Sequence, residues 1–90
     1  MRSLRWWGAY PRDIKCLIKR GYNLSKLYAM VVLLREEGAV LPENARPHKL
    51  SGVYEGLWEC HIGHDWLLIY KVVGSELLLA RTGTHEDLFG

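Results

Sequence analysis

The sequence predicts an α+β fold in the order β-α-α-β-β-β, with two N-terminal helices packed on a small, twisted, antiparallel-rich sheet. Three observations predict it. Apolar residues recur at helical spacing in two stretches before Gly38, three strand-like runs follow Gly52, and two Gly-X dipeptides, Gly63-His64 and Gly74-Ser75, separate those runs. Apolar positions three and four apart line one face of a helix, whereas short apolar runs bounded by glycine have the length and flanks of strands. Two-residue Gly-X links suit type II′ hairpins, so the three runs form a meander.

Ser3 to Trp7 is short and aromatic and stops at Gly8, which marks an edge strand. Pro11 opens a helix as its first residue, where the hydrogen it lacks has no partner anyway. Ile14, Leu17 and Ile18 give that helix its buried row, and Gly21 closes it. Asn23 or Ser25 caps a second helix whose buried stripe is Leu27, Met30, Val31 and Leu34, with Gly38 as its C-terminal stop. Gly38 to Ser51, holding Pro42 and Pro47, is a long loop, and His48 sits at its exit. The strands then run Val53 to Ile62, Asp65 to Val73 and Glu76 to Thr84.

Two-residue turns dictate a register in which Ile62 faces Asp65, His61 faces Trp66 and Glu59 faces Leu68. In the second hairpin Val73 faces Glu76, Tyr70 faces Leu79 and Leu68 faces Arg81. Glu59, His61, Trp66, Leu68 and Arg81 then share one side of the meander, while a slip of one residue would invert the assignment.

Ninety residues make one domain spanning 1–90, and at 49% hydrophobic residues the chain has ample material for a modest core. The net charge is only +2, but Arg2, Arg5, Arg12, Lys15, Lys19, Arg20, Lys26 and Arg35 concentrate positive charge in the first half. That asymmetry fits a polyanion or an acidic partner protein, and equally fits ordinary solvated helix faces. Cys16 and Cys60 belong to no C-x-x-C motif and read as reduced thiols. No signal peptide or membrane-length apolar stretch is visible, so a cytoplasmic location without membrane association is expected.

The residues able to do chemistry gather toward one rim of the meander. His61 and Arg81 share a face, His85 lies just past Gly83 where the chain can curl back over the sheet end, His48 leads into the meander and Asp65 starts its second strand. Histidine moves protons near neutral pH, arginine matches phosphate oxygens with a fixed charge, and a ring such as Trp66 or Phe89 can stack on a base. Cleavage of RNA by its own 2′-hydroxyl needs a base, an acid, a cation for the phosphorane and a splayed nucleotide, and this set supplies all four. Each member also has a plainer role. A lone histidine is more often a surface or satisfied core residue, Arg81 can pair with Glu59, Asp65 can be a turn residue, and Trp66 and Phe89 can be core rings. A metal site is the rival chemistry, with His61-Ile62-Gly63-His64 as H-x-x-H and His48, His85 or Asp65 as further ligands. That spacing falls in a tight turn, where two rings converge poorly, so no metal is the favoured expectation. No P-loop, G-x-G-x-x-G, G-x-S-x-G or H-E-x-x-H motif is present, and no cofactor is expected.

His48-Lys49-Leu50-Ser51-Gly52, Gly56, His61, Asp65-Trp66-Leu67-Leu68-Ile69-Tyr70-Lys71 and Arg81-Thr82-Gly83-Thr84-His85 through Leu88-Phe89-Gly90 together resemble the YafQ-like toxins of the RelE/ParE superfamily. The resemblance implies a RelE-like fold and the toxin of a type II toxin–antitoxin pair. It implies an endoribonuclease that cuts mRNA in the ribosomal A site, leaving a 2′,3′-cyclic phosphate and a free 5′-hydroxyl, and so halts translation. Carried over by position, the implied catalytic residues are His48, His61, Asp65, Arg81 and His85, and the implied substrate-binding residues are Trp66 and Phe89. His85 is then the general acid, His61 with Asp65 the base side, His48 a supporting contact and Arg81 the transition-state cation. The implied partners are a cognate antitoxin and mRNA on the ribosome with its ribosomal RNA, with DNA contacted by the antitoxin and not by this chain. Trp6-Trp7 lies outside the family pattern and fits either an interface or edge-strand packing. Two other functions remain open: a ParE-like, non-nucleolytic inhibitor of DNA gyrase, and a catalytically silent antitoxin-binding module.

Overall fold

The computed structural model describes all 90 residues, Met1–Gly90. Its elements run β1 (Ser3–Trp6), α1 (Ala9–Lys19), α2 (Ser25–Arg35), β2 (His48–Lys49), β3 (Trp58–Gly63), β4 (Trp66–Val73), β5 (Glu76–Gly83) and α3 (His85–Phe89). The strands form one sheet in the order β1-β5-β4-β3-β2. β1 is the expected edge strand and pairs in parallel with β5, while every other pairing is antiparallel. The α+β class and the succession of one strand, two helices and a three-stranded meander are as the sequence predicts, with the short β2 and α3 added.

α1 starts at Ala9, two residues ahead of the expected Pro11. Pro11 still sits in the first turn, where its missing N–H removes no helical hydrogen bond. At the other end Gly21 takes φ +82°, and the Gly21 and Tyr22 amides donate to Ile18 and Leu17, both at 3.0 Å. This paired C-terminal motif requires a residue that tolerates a left-handed backbone. Leu17 is buried and Ile14 half-buried, but Ile18 is exposed. The inward row instead runs Tyr10, Ile14, Leu17.

α2 begins at Ser25, whose amide donates to Asn23 Oδ1 at 2.9 Å. Leu27, Met30, Val31 and Leu34 are all buried, as predicted. The helix ends at Arg35, with Glu36 already extended, so Gly38 belongs to the following turn and does not stop the helix itself. Arg2 caps this end. Its guanidinium donates to Leu34 O at 3.0 Å and its amide to Arg35 O at 2.8 Å, satisfying carbonyls with no partner inside the helix.

The meander differs from expectation by two bulges. The first hairpin turns on His64-Asp65, so Gly63 faces Trp66, and an irregularity at Ile62 places His61 opposite Leu67 and Glu59 opposite Ile69. In the second hairpin Val73 faces Glu76 and Tyr70 faces Leu79 as predicted, but a shift between Ile69 and Tyr70 places Arg81 opposite Ile69. A bulge inserts one unpaired residue and thereby exchanges the faces beyond it. The two offsets compensate for Glu59, His61 and Arg81, which share a face as expected. They move Trp66 and Leu68 to the other face, into the core beneath the helices with Cys60, Tyr70, Leu77 and Leu79. The rim face carries its own smaller core of Tyr54, Leu57, Leu67, Ile69, Ala80 and Leu88. A 3₁₀ turn at Gly52–Tyr54 and α3 supply its cover, where the sequence suggested strand and open cleft.

Both cysteines are free thiols. Cys60 is buried, which pushes its thiol up to about 12. No helix is long and apolar enough to cross a membrane.

Candidate active site

Three imidazoles stand in a row on the rim face. His48 and His61 have ring centroids 6.3 Å apart, and His61 and His85 are also 6.3 Å apart. Phe89 continues the row at 6.3 Å from His85, and Tyr54 meets Phe89 edge-on at 5.5 Å. Phe89 is 48% exposed, so a face of its ring remains available to a base.

His85 owes its position to two carboxylates. Thr84 caps α3, its hydroxyl accepting from Asp87 N at 3.1 Å while Asp87 Oδ2 accepts from Thr84 N at 2.9 Å. This reciprocal box satisfies two amides that the helix leaves free. Arg20, at the end of α1, donates to the same Asp87 oxygen at 2.9 Å and, as the leading cause, holds that carboxyl below the usual range. Asp65 then accepts both the His85 backbone amide at 3.2 Å and ring Nδ1 at 2.5 Å. The bond from His85 is the main reason the Asp65 carboxyl lies below its ordinary value. A carboxylate on Nδ1 leaves Nε2 as the working nitrogen. Asp65 therefore serves His85, and not His61 as expected. It closes the β3–β4 turn, and the chain after Gly83 folds back onto that turn.

His61 is anchored by a backbone carbonyl instead. Its Nδ1 lies 3.3 Å from Ala45 O, which can only accept, so Nε2 is left with its lone pair. His48 places Nδ1 3.2 Å from Arg46 O and Nε2 3.0 Å from Glu59 Oε2. Both ring nitrogens thus face acceptors. The Arg46 carbonyl is turned toward His48 by an unusual backbone. Arg46 is the one non-glycine residue with positive φ, at +42°, a conformation that costs roughly 1–2 kcal/mol for an L-residue.

Arg81 is gripped by α1. Its Nε and Nη2 donate to Asp13 at 2.7 and 3.0 Å, and Nη1 reaches the Tyr54 hydroxyl at 3.4 Å. The bond to Asp13 raises the guanidinium further above its already high value. Its partner is therefore Asp13, not Glu59. Trp66 faces away from the row. It is buried beneath the helices, packs edge-on against Tyr22 at 5.0 Å and donates its ring N–H to Thr82 Oγ1 at 2.9 Å. Its ring backs the strand that carries the site and lines a depression with Asp65 and Thr84.

Two functional candidates emerge that the sequence did not single out, Glu59 and Tyr54. Glu59 is only 4% exposed, and its carboxylate, His61 and His85 have ligand atoms within 4.8 Å of one another. A carboxylate two residues before His61 in an otherwise apolar strand was the available signal, because a buried charge needs a partner. The metal-capable trio is Glu59, His61 and His85, whereas the H-x-x-H pair His61 and His64 does not form one. Tyr54 could not be placed, because its segment reads as strand and folds as a 3₁₀ turn.

Comparison with known proteins identifies the family. Residues 2–90 match the profile of a family described as a bacterial toxin of type II toxin–antitoxin system, YafQ. The mRNA interferase toxin YafQ of Escherichia coli K12 is 37% identical over 89 residues, covering 99% of this chain and 97% of that protein. The toxin in the crystal structure of the E. coli DinJ–YafQ toxin–antitoxin complex superposes with a TM-score of 0.89 at 37% identity, covering 99% of this chain and 98% of that one. A metal-bound toxin from Helicobacter pylori superposes with a TM-score of 0.88 at 33% identity, over 99% of this chain and all of that one. A match across nearly every residue, joined to a shared fold, places this chain in the YafQ family of type II toxin–antitoxin toxins.

Proposed function

We propose that this chain is the messenger-RNA endonuclease of its toxin–antitoxin pair, acting on mRNA in the ribosomal A site by acid–base chemistry without a metal. The row His48–His61–His85, ending on the exposed ring of Phe89, carries this conclusion. The E. coli relative named as an mRNA interferase toxin and the DinJ-bound relative support it and point to a cognate antitoxin as the partner.

In the proposed step His61 Nε2 takes the proton of the 2′-hydroxyl. The 2′-oxygen attacks the adjacent phosphorus, and the bond from phosphorus to the 5′-oxygen breaks. His85 Nε2, its ring oriented by Asp65, gives that oxygen a proton. The products are a 2′,3′-cyclic phosphate and a 5′-hydroxyl, with no other reactant needed. Each proton transfer is worth about 10²–10⁴ in rate. Arg81 offers positive charge to the crowded phosphorane, His48 adds a supporting contact, and Phe89 stacks on the splayed base.

Mapping 5′ ends of cellular mRNA after brief expression, with His85→Ala alongside, tests this. New in-frame ends should appear with the wild type and vanish with the variant. Undiminished cutting by the variant, or DNA breaks without mRNA cuts, would overturn the assignment.

A second reading is favoured by one observation. The Glu59, His61 and His85 ligand atoms converge, and a toxin of the same fold from H. pylori is metal-bound. Imidazoles and a carboxylate suit a transition ion, which would occupy the very nitrogens that must move protons. Cleavage that persists with a chelator and falls with added ion favours the acid–base mechanism, and the reverse pattern favours a metal nuclease.

A further inference from the structure

Behind the imidazole row two depressions of about 680 and 440 Å³ meet at Lys26, Gly63 and His64. The larger is walled by His61 and closed by Glu43, Asn44 and Arg46, while the smaller reaches Asn23, Asp65 and Thr84 over the rings of Tyr22 and Trp66. Together they form a cleft that starts at the ring of His61 and passes the residues flanking His85. Its cations are uncommitted, since none of the five ion pairs in the molecule uses Lys26 or Arg46. Glu43 is the opposing acid, and Asp65 is already held by His85.

Arg46 adds an independent observation. Its left-handed backbone turns the carbonyl toward His48 while its residue lines the cleft, so one strained position serves both. Strain of this kind, concentrated beside a reaction site, is a recurring sign of function.

We propose that this cleft is a backbone subsite for the messenger strand, holding the phosphate next to the scissile one with Lys26 and Arg46, and with His64 and the two asparagines as hydrogen-bonding walls. The proposal rests on the nuclease function above. The larger depression, with a single hydrophobic residue in its lining, favours a nucleic-acid backbone over an antitoxin segment, because a docked helix needs apolar anchors; in the smaller one the rings of Tyr22 and Trp66 form the apolar floor. Continuity with His61 favours the cleaved strand over ribosomal RNA. Phosphate contacts position a strand without reading its bases, so the subsite sets register and leaves codon choice to other groups.

The test uses single-turnover cleavage on programmed ribosomes, with Lys26→Gln and the Lys26→Gln/Arg46→Gln pair. Circular dichroism and urea midpoints first establish that the variants fold. The half-saturating toxin concentration should rise about three- to tenfold, the saturated rate should change less than about twofold, and the salt dependence should become shallower. A neutral methylphosphonate beside the scissile linkage should weaken the wild type by a similar factor on one side only, and should add nothing in the double variant. Independent, multiplying effects of linkage and variant would mean that the cations read ribosomal RNA, and would overturn the proposal. Lost antitoxin affinity with unchanged cleavage would assign the cleft to the antitoxin and overturn it too. Wild-type cutting with unaltered half-saturation in the variants removes the subsite alone, whereas a wild type that makes no cut removes the nuclease function and the subsite with it.

Discussion

Asp13 grips Arg81 through both Nε and Nη2 and, with the same carboxylate, accepts the Thr82 amide at 3.1 Å. β1 stops opposite Leu79, so the Thr82 amide lies beyond the reach of the neighbouring strand, and Asp13 takes the strand's place. Arg20, two turns further along α1, holds Asp87 at the other end of the 81–87 segment. One helix therefore sets the positions of both Arg81 and the short helix that bears His85.

Removing Asp13 should uncouple Arg81 from that frame. Asp13→Ala leaves a half-buried guanidinium and an edge amide unpaired, at a cost of about 1–3 kcal/mol. Urea unfolding should register the loss, and single-turnover cleavage should slow beyond what stability explains. A variant that is destabilised but fully active would show that Arg81 needs no such positioning.

Gly83 should not tolerate alanine. An added Cβ would lie 3.0 Å from Asp87 Cβ and Oδ2, inside the capping box. Loss of such a cap costs roughly 0.5–2 kcal/mol, and each kcal/mol lowers the thermal midpoint of a domain this size by about 4–8 °C. Calorimetry of Gly83→Ala should show that drop, accompanied by slower cleavage as His85 shifts. An unchanged midpoint would mean that the box relaxes at no cost.

Acid should loosen the C-terminal helix. The Asp65 and Asp87 carboxyls are both held below the ordinary value, by His85 and Arg20 respectively. A depressed folded-state pKa contributes stability above the unfolded value and loses it as pH falls through the folded one. The contribution is thus complete above about pH 5 and declines below about pH 4. Urea midpoints measured across pH 6 to 3 should trace the fall, and Arg20→Ala should flatten part of it. An equal slope in that variant would exclude Asp87 as a source.

Glu59→Gln separates the charge at the site from its shape. Glutamine keeps the volume and an acceptor for His48, but removes the negative charge and the strongest oxygen donor of the Glu59, His61 and His85 trio. Affinity for a divalent transition ion should fall about tenfold or more, the scale set already by outer-shell changes at metal sites. Competition with a chromogenic chelator measures it, and an unchanged affinity would show that any ion binds elsewhere.

Much of this layout is legible in the sequence because it is local. The stripe Leu27, Met30, Val31 and Leu34 follows from helical period alone, and the shared face of His61 and Arg81 from strand alternation. The bulges at Ile62 and beside Ile69 were not legible, since Gly63 next to Ile62 reads as a turn residue and no glycine or proline stands beside Ile69. Their offsets cancelled for His61 and Arg81 but not for Trp66, which is why a ring expected beside the histidines lies beneath the helices. The Asp13–Arg81 and Arg20–Asp87 pairs join residues 68 and 67 positions apart, and no local pattern chooses among so many charged partners. Asp65 was correctly placed near a histidine, but which one depended on how the chain leaves Gly83.

The parallel pairing of β1 with β5 also governs the order in which the molecule can assemble. Ser3 finds its partner at Glu76 and Trp6 at Leu79, so the first strand to leave the peptidyl-transfer centre waits for the last. Closing so long a loop is entropically slow. The meander can zip from its own hairpins, but Asp13 and Arg20 reach their partners only once that late strand has arrived, so the frame around Arg81 and His85 is the last part of the molecule to close.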